Sequence, residues 1–239
     1  MGIPGIRFRA AKAIAIALFV PALLAGLPAQ GGRAASVGLR RVLAHMDEAA
    51  RHVKTVSTRL TYTSVTVLVN YHSTEYGELF FRKGRRLEVM VKFLKPTPKE
   101  ILFKRNRAEI YSPSINQLEE YSLARHRQLL QEFLLLGFGT RVRDLESSYH
   151  IKYLGEQRLG NQTTQLLGLV PIQKDVAAQL THVNLWVSEA TWLPVQQKFY
   201  EPGGDYLVAR YSGTVVNRRL RPSIFKIRTK PGAERMKMN

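Results

Sequence analysis

Residues 77–91 read GELFFRKGRRLEVMV. Its two apolar runs enclose four cations and one central glycine. Apolar residues recur at every second position on both sides of that glycine, in Leu79 and Phe81 and again in Leu87, Val89 and Val91. A period of two is typical of strands that bury one face. The stretch therefore predicts a β-hairpin with its cations at the turn.

Strand patterns continue on both sides of this hairpin. Val65, Val67 and Val69 alternate with polar residues and predict a strand before it. Proline, asparagine and glycine separate the apolar runs that follow it. They predict short strands at 99–104, 108–112, 117–121, 149–155, 162–170, 181–187, 194–200, 205–211 and 223–228.

Two segments have helical rather than strand periodicity. Apolar residues recur every three or four positions over 39–53, with charged residues between them, which predicts an amphipathic helix. HRQLLQEFLLLGFG, residues 126–139, is apolar on more than one face and ends in glycines, so it predicts a short, enclosed helix. Residues 141–149 add a further helical turn. The fold class is therefore α+β, with a large, strongly curved antiparallel sheet that holds helices against one face.

The N-terminus has the three parts of an export signal. A cationic, acid-free leader precedes fifteen uncharged apolar residues, 13–27, and small residues follow. Fifteen residues interrupted by Pro21 fall short of the roughly 20 that span a bilayer. We expect residues 1–34 to be a cleaved signal peptide, with Gly32-Arg33-Ala34 and Leu27-Pro28-Ala29 both acceptable as cleavage sites, and 35–239 to form a single domain.

Charge and cysteine content limit the cellular compartments and the binding partners that we expect for this protein. The chain has a net charge of +18, and loss of the four cations in residues 1–34 leaves +14. There is no cysteine, which excludes N-terminal lipidation, disulfides and thiol chemistry. We expect an exported protein that stays in the envelope or is secreted. There, a basic surface meets lipid head groups rather than DNA, so a transient anionic membrane contact and a merely solvated surface both remain open.

Three motifs in order resemble periplasmic lipoprotein carriers of the LolA type. The hairpin at 77–91 is similar to the early GEL-containing hairpin of that family. LWVSEATWLPVQQKFYEPGGDYLVARYS, residues 185–212, looks like its late hairpins, and FKIRTKPGAE, residues 225–234, looks like its closing strand. The resemblance covers residues 37–235. It implies an unclosed β-barrel with an apolar concave face, covered by helices.

The function that the resemblance implies is that of a monomeric periplasmic carrier. It would shield the acyl chains of lipoproteins, or of a related amphiphile, between an inner-membrane exporter and an outer-membrane acceptor. The alternatives are a lipid- or lipoprotein-sensing regulatory domain of the same fold and a carrier of phospholipid or glycolipid. The side chains expected to line the cavity, including the helical lid, are Leu79, Phe81, Leu87, Val89, Val91, Leu130, Phe133 and Leu134. An ordinary packed core would use the same residues.

The hairpin cations suggest a latch. In the carriers that the chain resembles, an arginine of this hairpin holds the lid helices through backbone carbonyls. Alignment on the GEL motif puts Lys83 at that position, with Arg82 or Arg85 as alternatives if the turn differs by one residue. Lysine lacks the planar fork of guanidinium donors and holds carbonyls less rigidly.

Enzymatic and nucleic-acid functions have little support. The six histidines lack metal-binding spacing, and neither a GxSxG elbow nor a Gly-rich phosphate loop occurs. We therefore expect no catalytic residues, no metal and no cofactor. The cations cluster at predicted turns, and Phe80 and Phe81 point to opposite faces, which does not match the stacking platforms of nucleic-acid-binding sheets.

Overall fold

The computed structural model describes residues 31–84, 87–104, 107–122 and 138–238. The predicted signal peptide, apart from residues 31–34, and the predicted helix at 126–139, apart from Phe138 and Gly139, lie outside these ranges. The described helices are α1 (Gly31–His52), α2 (Val142–Ser148) and α3 (Lys174–Ala177), with a 3₁₀ helix at Pro222–Phe225. Within the described ranges, none of the helices has the length and hydropathy that crossing a membrane requires. The helices predicted at 39–53 and 141–149 are confirmed as α1 and α2.

Twelve strands form one open sheet in the order β12-β6-β5-β4-β3-β2-β1-β11-β10-β9-β8-β7. Their bounds are β1 (Thr55–Thr66), β2 (Tyr71–Lys83), β3 (Leu87–Lys95), β4 (Lys99–Lys104), β5 (Arg107–Ser112), β6 (Gln117–Ser122), β7 (Tyr149–Leu159), β8 (Gln162–Pro171), β9 (His182–Ser188), β10 (Pro194–Tyr200), β11 (Tyr206–Val216) and β12 (Glu234–Met238). Neighbouring strands are antiparallel except β12 and β6, which are parallel. The sheet is therefore mixed, and the prediction of a purely antiparallel sheet was wrong at this edge.

The hairpin predicted from residues 77–91 is confirmed as β2 and β3. Leu79 pairs with Val91, Phe81 with Val89, and Lys83 with Leu87 across an antiparallel ladder. Because side chains alternate between the faces of a strand, this register puts Leu79, Phe81, Leu87, Val89 and Val91 on one face. We call the face that carries Phe81 the inner face of the sheet, and the opposite face the outer face.

The strand predicted through Val67 and Val69 was wrong. β1 ends at Thr66, and residues 67–70 form the turn that leads into β2. Asn70 has φ 49°, a left-handed conformation that asparagine tolerates better than most residues, and it closes the turn. Val67 and Val69 are 51% and 67% exposed, so these two apolar residues do not belong to the buried face of a strand.

The strand predicted at 223–228, and with it the closing strand expected from FKIRTKPGAE, was also wrong. Pro222 opens the 3₁₀ helix there, and the chain continues irregularly until β12 begins at Glu234. Phe225 is fully buried against Met90 and Leu102 on the outer face. We call residues 217–233 the strap, because they run from β11 across the outer face of β3 and β4 to the sheet edge.

Candidate functional site

One apolar cluster occupies the inner face. Leu79, Phe81, Val89 and Val91 are each 1% exposed and belong to it, while Leu87 packs against it partly buried. The five predicted cavity residues that the structure describes thus lie together on one face of β2 and β3. The three predicted lid residues, Leu130, Phe133 and Leu134, lie outside the described residues.

The cluster extends far beyond the two strands of the hairpin. Buried side chains of nine further elements join it and form one continuous apolar surface: Val56 and Leu60 of β1, Ala209 and Tyr211 of β11, Phe199 of β10, Val183, Leu185 and Val187 of β9, Leu167 and Leu169 of β8, Tyr149 of β7, Val42, Leu43 and Met46 of α1, Leu145 of α2, and Val176 of α3. An apolar surface of this breadth is what either a packed core or a lipid-binding cavity requires.

Helix α1 packs into this cluster through one side. Val42, Leu43 and Met46 are buried and are separated by helical spacings, while Arg40 and Arg41 between the apolar positions are exposed. The helix lies against β7, where Gly38 meets the Tyr153 ring. The amphipathic pattern read from the sequence is therefore what attaches α1 to the sheet.

The last two residues of the predicted lid helix, Phe138 and Gly139, contact the inner face directly. The Phe138 ring packs edge-on against Tyr211 with centroids 4.8 Å apart, and Phe138 is 1% exposed. Gly139 has φ +69°, and a Cβ on it would lie 3.0 Å from Cζ of Phe81. This glycine therefore allows both the turn and the close approach to Phe81. The chain leaving the predicted lid is thus anchored over the predicted cavity residues.

An ion pair that sequence analysis missed ties this segment to α1. The Arg141 Nε donates to Asp47 Oδ1 at 2.9 Å, and the Val142 amide donates to the same oxygen at 3.2 Å. Arg51, one turn along α1, donates to Oδ2 at 2.8 Å. The hydrogen bonds from Arg141 and Val142, joined by that from Arg51, lower the pKa of Asp47 to about 2. We call Asp47 and Arg141 the clasp. From the sequence, only the pair of Asp47 and Arg51 could be predicted, because residues four apart on a helix are neighbours.

Tyrosines and the buried side chains of Gln165 and Gln197 put polar atoms into the inner face. The Tyr211 hydroxyl donates to Gln197 Oε1 at 3.0 Å, and both side chains are buried. Burial, together with the carboxylates of Glu75 and Glu201, raises the pKa of Tyr62 to about 12. Burial likewise raises the pKa of Tyr211. Both hydroxyls therefore stay neutral at any physiological pH, so the inner face carries no charge at these positions.

The latch candidates differ in where they lie. Lys83 is exposed, and its position two residues after Phe81 puts it on the inner face; its backbone amide donates to the Lys54 carbonyl just beyond α1, at 2.7 Å. Arg82 lies on the outer face, where it binds Glu88 and its guanidinium carbon lies 4.3 Å from the centre of the Phe225 ring. Arg85 lies outside the described residues. The latch role of Lys83 stays a prediction.

Glu88 is held between two cations on that outer face. Burial opposes its ionisation, but hydrogen bonds from Lys104 and Arg82, and the charges of both, outweigh burial and lower its pKa. Lys104 Nζ lies 2.9 Å from Glu88 Oε1. Arg82 is therefore part of the attachment of the strap to the outer face.

The titratable side chains do not assemble a metal site where the structure can be described. In those parts of the chain, no three or more histidine, aspartate or glutamate side chains are grouped so that they could hold a metal ion. His45 stacks on Trp192 with ring centroids 4.2 Å apart, whereas His52 contacts Glu48 on the exposed side of α1. The two histidines of α1 therefore have separate surroundings.

Comparisons with known proteins give a likeness of fold. No family model matches the chain, and no curated protein matches it. An uncharacterised conserved protein from Thermus thermophilus is 12% identical, with a TM-score of 0.56 over 84% of this chain and 99% of that one. MucB is 15% identical, with a TM-score of 0.51 over 82% of this chain. This chain spans only 64% of the MucB chain.

A LolA superfamily protein from Nitrosomonas europaea is also among the similar structures, at 17% identity and a TM-score of 0.41 over 79% of this chain and 97% of that one. A LolA superfamily protein is thus among the structural neighbours, while the likeness of fold rests on the Thermus thermophilus protein and on MucB. The open sheet with one apolar face is consistent with the expected unclosed barrel.

Proposed function

We propose that this protein is a periplasmic, non-enzymatic carrier that shields the acyl chains of lipoproteins, or of a related amphiphile, against the inner face of its sheet. The observation that carries the proposal is the continuous apolar inner face, which spans β1, β2, β3 and β7–β11 and is overlaid by α1 and Phe138. In the proposal, this face is concave and opens when the chain around Phe138 moves.

The physical need for such a face follows from the cost of exposing acyl chains. Each methylene left in water costs about 0.8 kcal/mol, so a chain of a dozen carbons does not cross an aqueous compartment unshielded. An apolar face with its backbone paired in a sheet offers a dry surface without unsatisfied polar groups. Neutral Tyr62 and Tyr211 fit this use, since a charged group on this face would lose its hydration when an acyl chain covered it.

Loading and release are proposed to depend on the clasp and on Lys83. The clasp joins α1 to the residues that follow the predicted lid helix, 2.9 Å between Arg141 and Asp47. Lys83 lies next to the end of α1, where helix carbonyls point outward and attract a cation. Delivery from an inner-membrane exporter to an outer-membrane acceptor, by a monomer, completes the proposed role.

The second candidate is a regulatory domain that senses lipid or lipoprotein with the same fold. The likeness to MucB favours it, because MucB covers 82% of this chain and has been crystallised in complex with MucA. A sensor of this kind would bind the amphiphile at the same face but pass the signal to a protein partner. Lipid binding alone does not separate the two candidates; transfer does.

The first experiment tests whether the inner face takes up acyl chains. Native mass spectrometry of protein purified from the envelope, followed by lipid extraction, should reveal bound lipid, and the stripped protein should take up a fluorescent fatty acid. Val91→Asp, which puts a carboxylate on the inner face, should abolish uptake, whereas Lys92→Asp on the outer face should not. A lipid-free protein that also fails to take up the probe would exclude both candidates.

The second experiment separates carrier from sensor. Protein loaded with a fluorescent diacylated peptide is mixed with acceptor vesicles, and transfer is followed by dequenching. A carrier releases its cargo to the vesicles, whereas a sensor retains it. Retention by a protein that does bind the peptide would refute delivery and favour the regulatory role.

A further inference from the structure

The strap is the most one-sided charge feature of the described surface. Residues 217–233 contain six cations and no acidic residue: Arg218, Arg219, Arg221, Lys226, Arg228 and Lys230. All six are exposed. In the parts of the chain that the structure describes, no carboxylate forms an ion pair with any of them. Their charges are therefore available to an external partner.

Neighbouring carboxylates do not neutralise the strap. Two grooves run beside it on the outer face and contain one glutamate each. Glu100 is paired with Lys92 at 2.9 Å, and Glu109 lies 3.9 Å from Arg107. Since both glutamates already face a cation of the sheet, Lys226 and Arg228, which line these grooves, add to a positive surface.

The strap is held rigidly, unlike a basic tail. At its start, the Asn217 side chain accepts from the Lys54 amide at 2.7 Å and donates to the His52 carbonyl at 2.9 Å. In its middle, Phe225 is fully buried on the outer face. Near its end, the Lys230 amide donates to the Tyr111 hydroxyl at 3.0 Å. The cations are thus arranged in advance across several strands, and little conformational entropy is lost on binding.

From this arrangement we infer that the strap is a docking surface for the phosphate head groups of an anionic membrane. Charge complementarity carries the inference. Six cations, none of them in an ion pair within the described residues, lie along a fixed path over strands that are spaced about 4.8 Å apart, so they meet many head groups at once. Lys230 Nζ also donates to the Pro113 carbonyl at 3.1 Å and keeps its charge. Each cation near an anionic lipid surface strengthens binding by about fivefold.

The composition of the strap disfavours nucleic acid. Single-stranded nucleic acid is bound by cations together with exposed aromatic rings on which bases stack. The one aromatic residue of the strap, Phe225, is buried beneath it. The spread of the cations over thirteen residues, 218–230, also fits a surface better than a single phosphate ion.

Docking through the strap leaves the opposite, apolar face unobstructed. The strap lies on Met90 and Leu102 of the outer face, whereas Val89 and Val91, next in sequence to Met90, belong to the inner cluster. The inference goes beyond the proposed carrier function and does not depend on it. Membrane docking and acyl-chain uptake can therefore fail separately.

The test compares two variants with the same loss of charge. The strap variant replaces Arg219, Arg221, Lys226 and Arg228 with glutamine, and the control replaces Arg40, Lys152, Arg158 and Lys174, which are also exposed. Both lose four positive charges. The protein as purified from the envelope is sedimented with vesicles of equimolar phosphatidylglycerol and phosphatidylcholine, or of phosphatidylcholine alone, in about 0.1 M salt, where the Debye length is about 10 Å.

We expect the strap variant to lose roughly 100-fold or more in affinity for the anionic vesicles, and the control less than about tenfold. Wild-type protein should not bind phosphatidylcholine alone. A third variant with Arg219, Arg221 and Arg228 changed to lysine keeps the charge and should keep binding. Circular dichroism and an unchanged thermal unfolding midpoint show that the variants are folded.

Three outcomes would overturn the inference. Equal losses in the strap variant and the control would show that only net charge matters. Loss of binding in the lysine variant would point to a specific phosphate ligand held by arginine forks. The strap variant and wild-type protein are also compared for binding to immobilised polyglutamate. If the strap variant still binds anionic vesicles but no longer binds polyglutamate, the strap is a site for an acidic protein partner.

Discussion

Removal of the Asp47 charge should loosen the clasp by a measurable amount. In Asp47→Asn, the contacts to Arg141, Val142 and Arg51 lose the carboxylate that attracts them. The pKa of Asp47 is about 2 in the fold and 3.8 ordinarily, a difference that corresponds to at most about 2.5 kcal/mol. Because Asp47 and Arg141 are 19% and 37% exposed, screening by water lowers our expectation to about 1 kcal/mol.

The assay is thermal unfolding as a function of pH. For a domain of this size, about 1 kcal/mol lowers Tm by roughly 2–4 °C at pH 7. The folded-state pKa lies below the unfolded one, so the carboxylate contributes fully above about pH 4 and its contribution is lost as the pH falls from about 4 to about 2. The difference in Tm between wild type and Asp47→Asn should shrink over that range.

A control variant and a local measurement distinguish loss of the clasp from a general loss of stability. Glu146→Gln removes a nearby exposed carboxylate for which no contact is seen in the described structure, and it should leave Tm within about 1 °C. Amide hydrogen exchange should accelerate at residues 138–142 in Asp47→Asn only. Equal Tm values for wild type and Asp47→Asn at pH 7, or a difference that persists at pH 2, would refute the clasp.

Three further substitutions test the sheet, the strap and the latch. Gly77→Ala should destabilise the fold by about 3 kcal/mol in chemical denaturation, because its Cβ would lie 2.2 Å from the Lys92 carbonyl oxygen. Gly168→Ala, whose Cβ would meet the end of the exposed Leu154 side chain at 3.0 Å, should cost less than about 1 kcal/mol. Phe225→Ala should cost about 3–5 kcal/mol, because it empties the centre of the outer cluster; a smaller loss, with vesicle binding intact, would show that Phe225 does not hold the strap. Lys83→Ala should alter the rate of cargo release more than the affinity for cargo, while Lys95→Ala, on another strand end, serves as its control; an unchanged transfer rate counts against the latch.

Much of the candidate site was predictable because it depends on local periodicity. Alternation in residues 77–91 predicted both the hairpin and the side chains that share its inner face, and the register of β2 and β3 confirmed them. Helical spacing in residues 39–53 likewise predicted which side of α1 is buried. In each case the pattern of one element is enough to define its buried face.

The turn at 67–70 and the strap were not predictable in this way. The apolar side chains of Val67 and Val69 follow a strand pattern but are exposed, since the chain turns at Asn70. The alternation around Phe225 suggested a strand, but no neighbouring strand is available there among the described residues, and the segment packs across the outer face instead. Alternation indicates which residues are apolar, whereas pairing depends on where the rest of the chain lies.

The strand and helix periods, the apolar composition of the inner face and the acid-free charge of residues 217–233 can all be read from the amino-acid sequence. The contact of Asp47 with Arg141 across 94 positions, the approach of Gly139 to Phe81 and the exposure of the strap cations opposite the apolar cluster follow from the fold. Periodicity acts over a few residues, whereas ion pairs, close approaches and the choice of face depend on segments that only folding brings together.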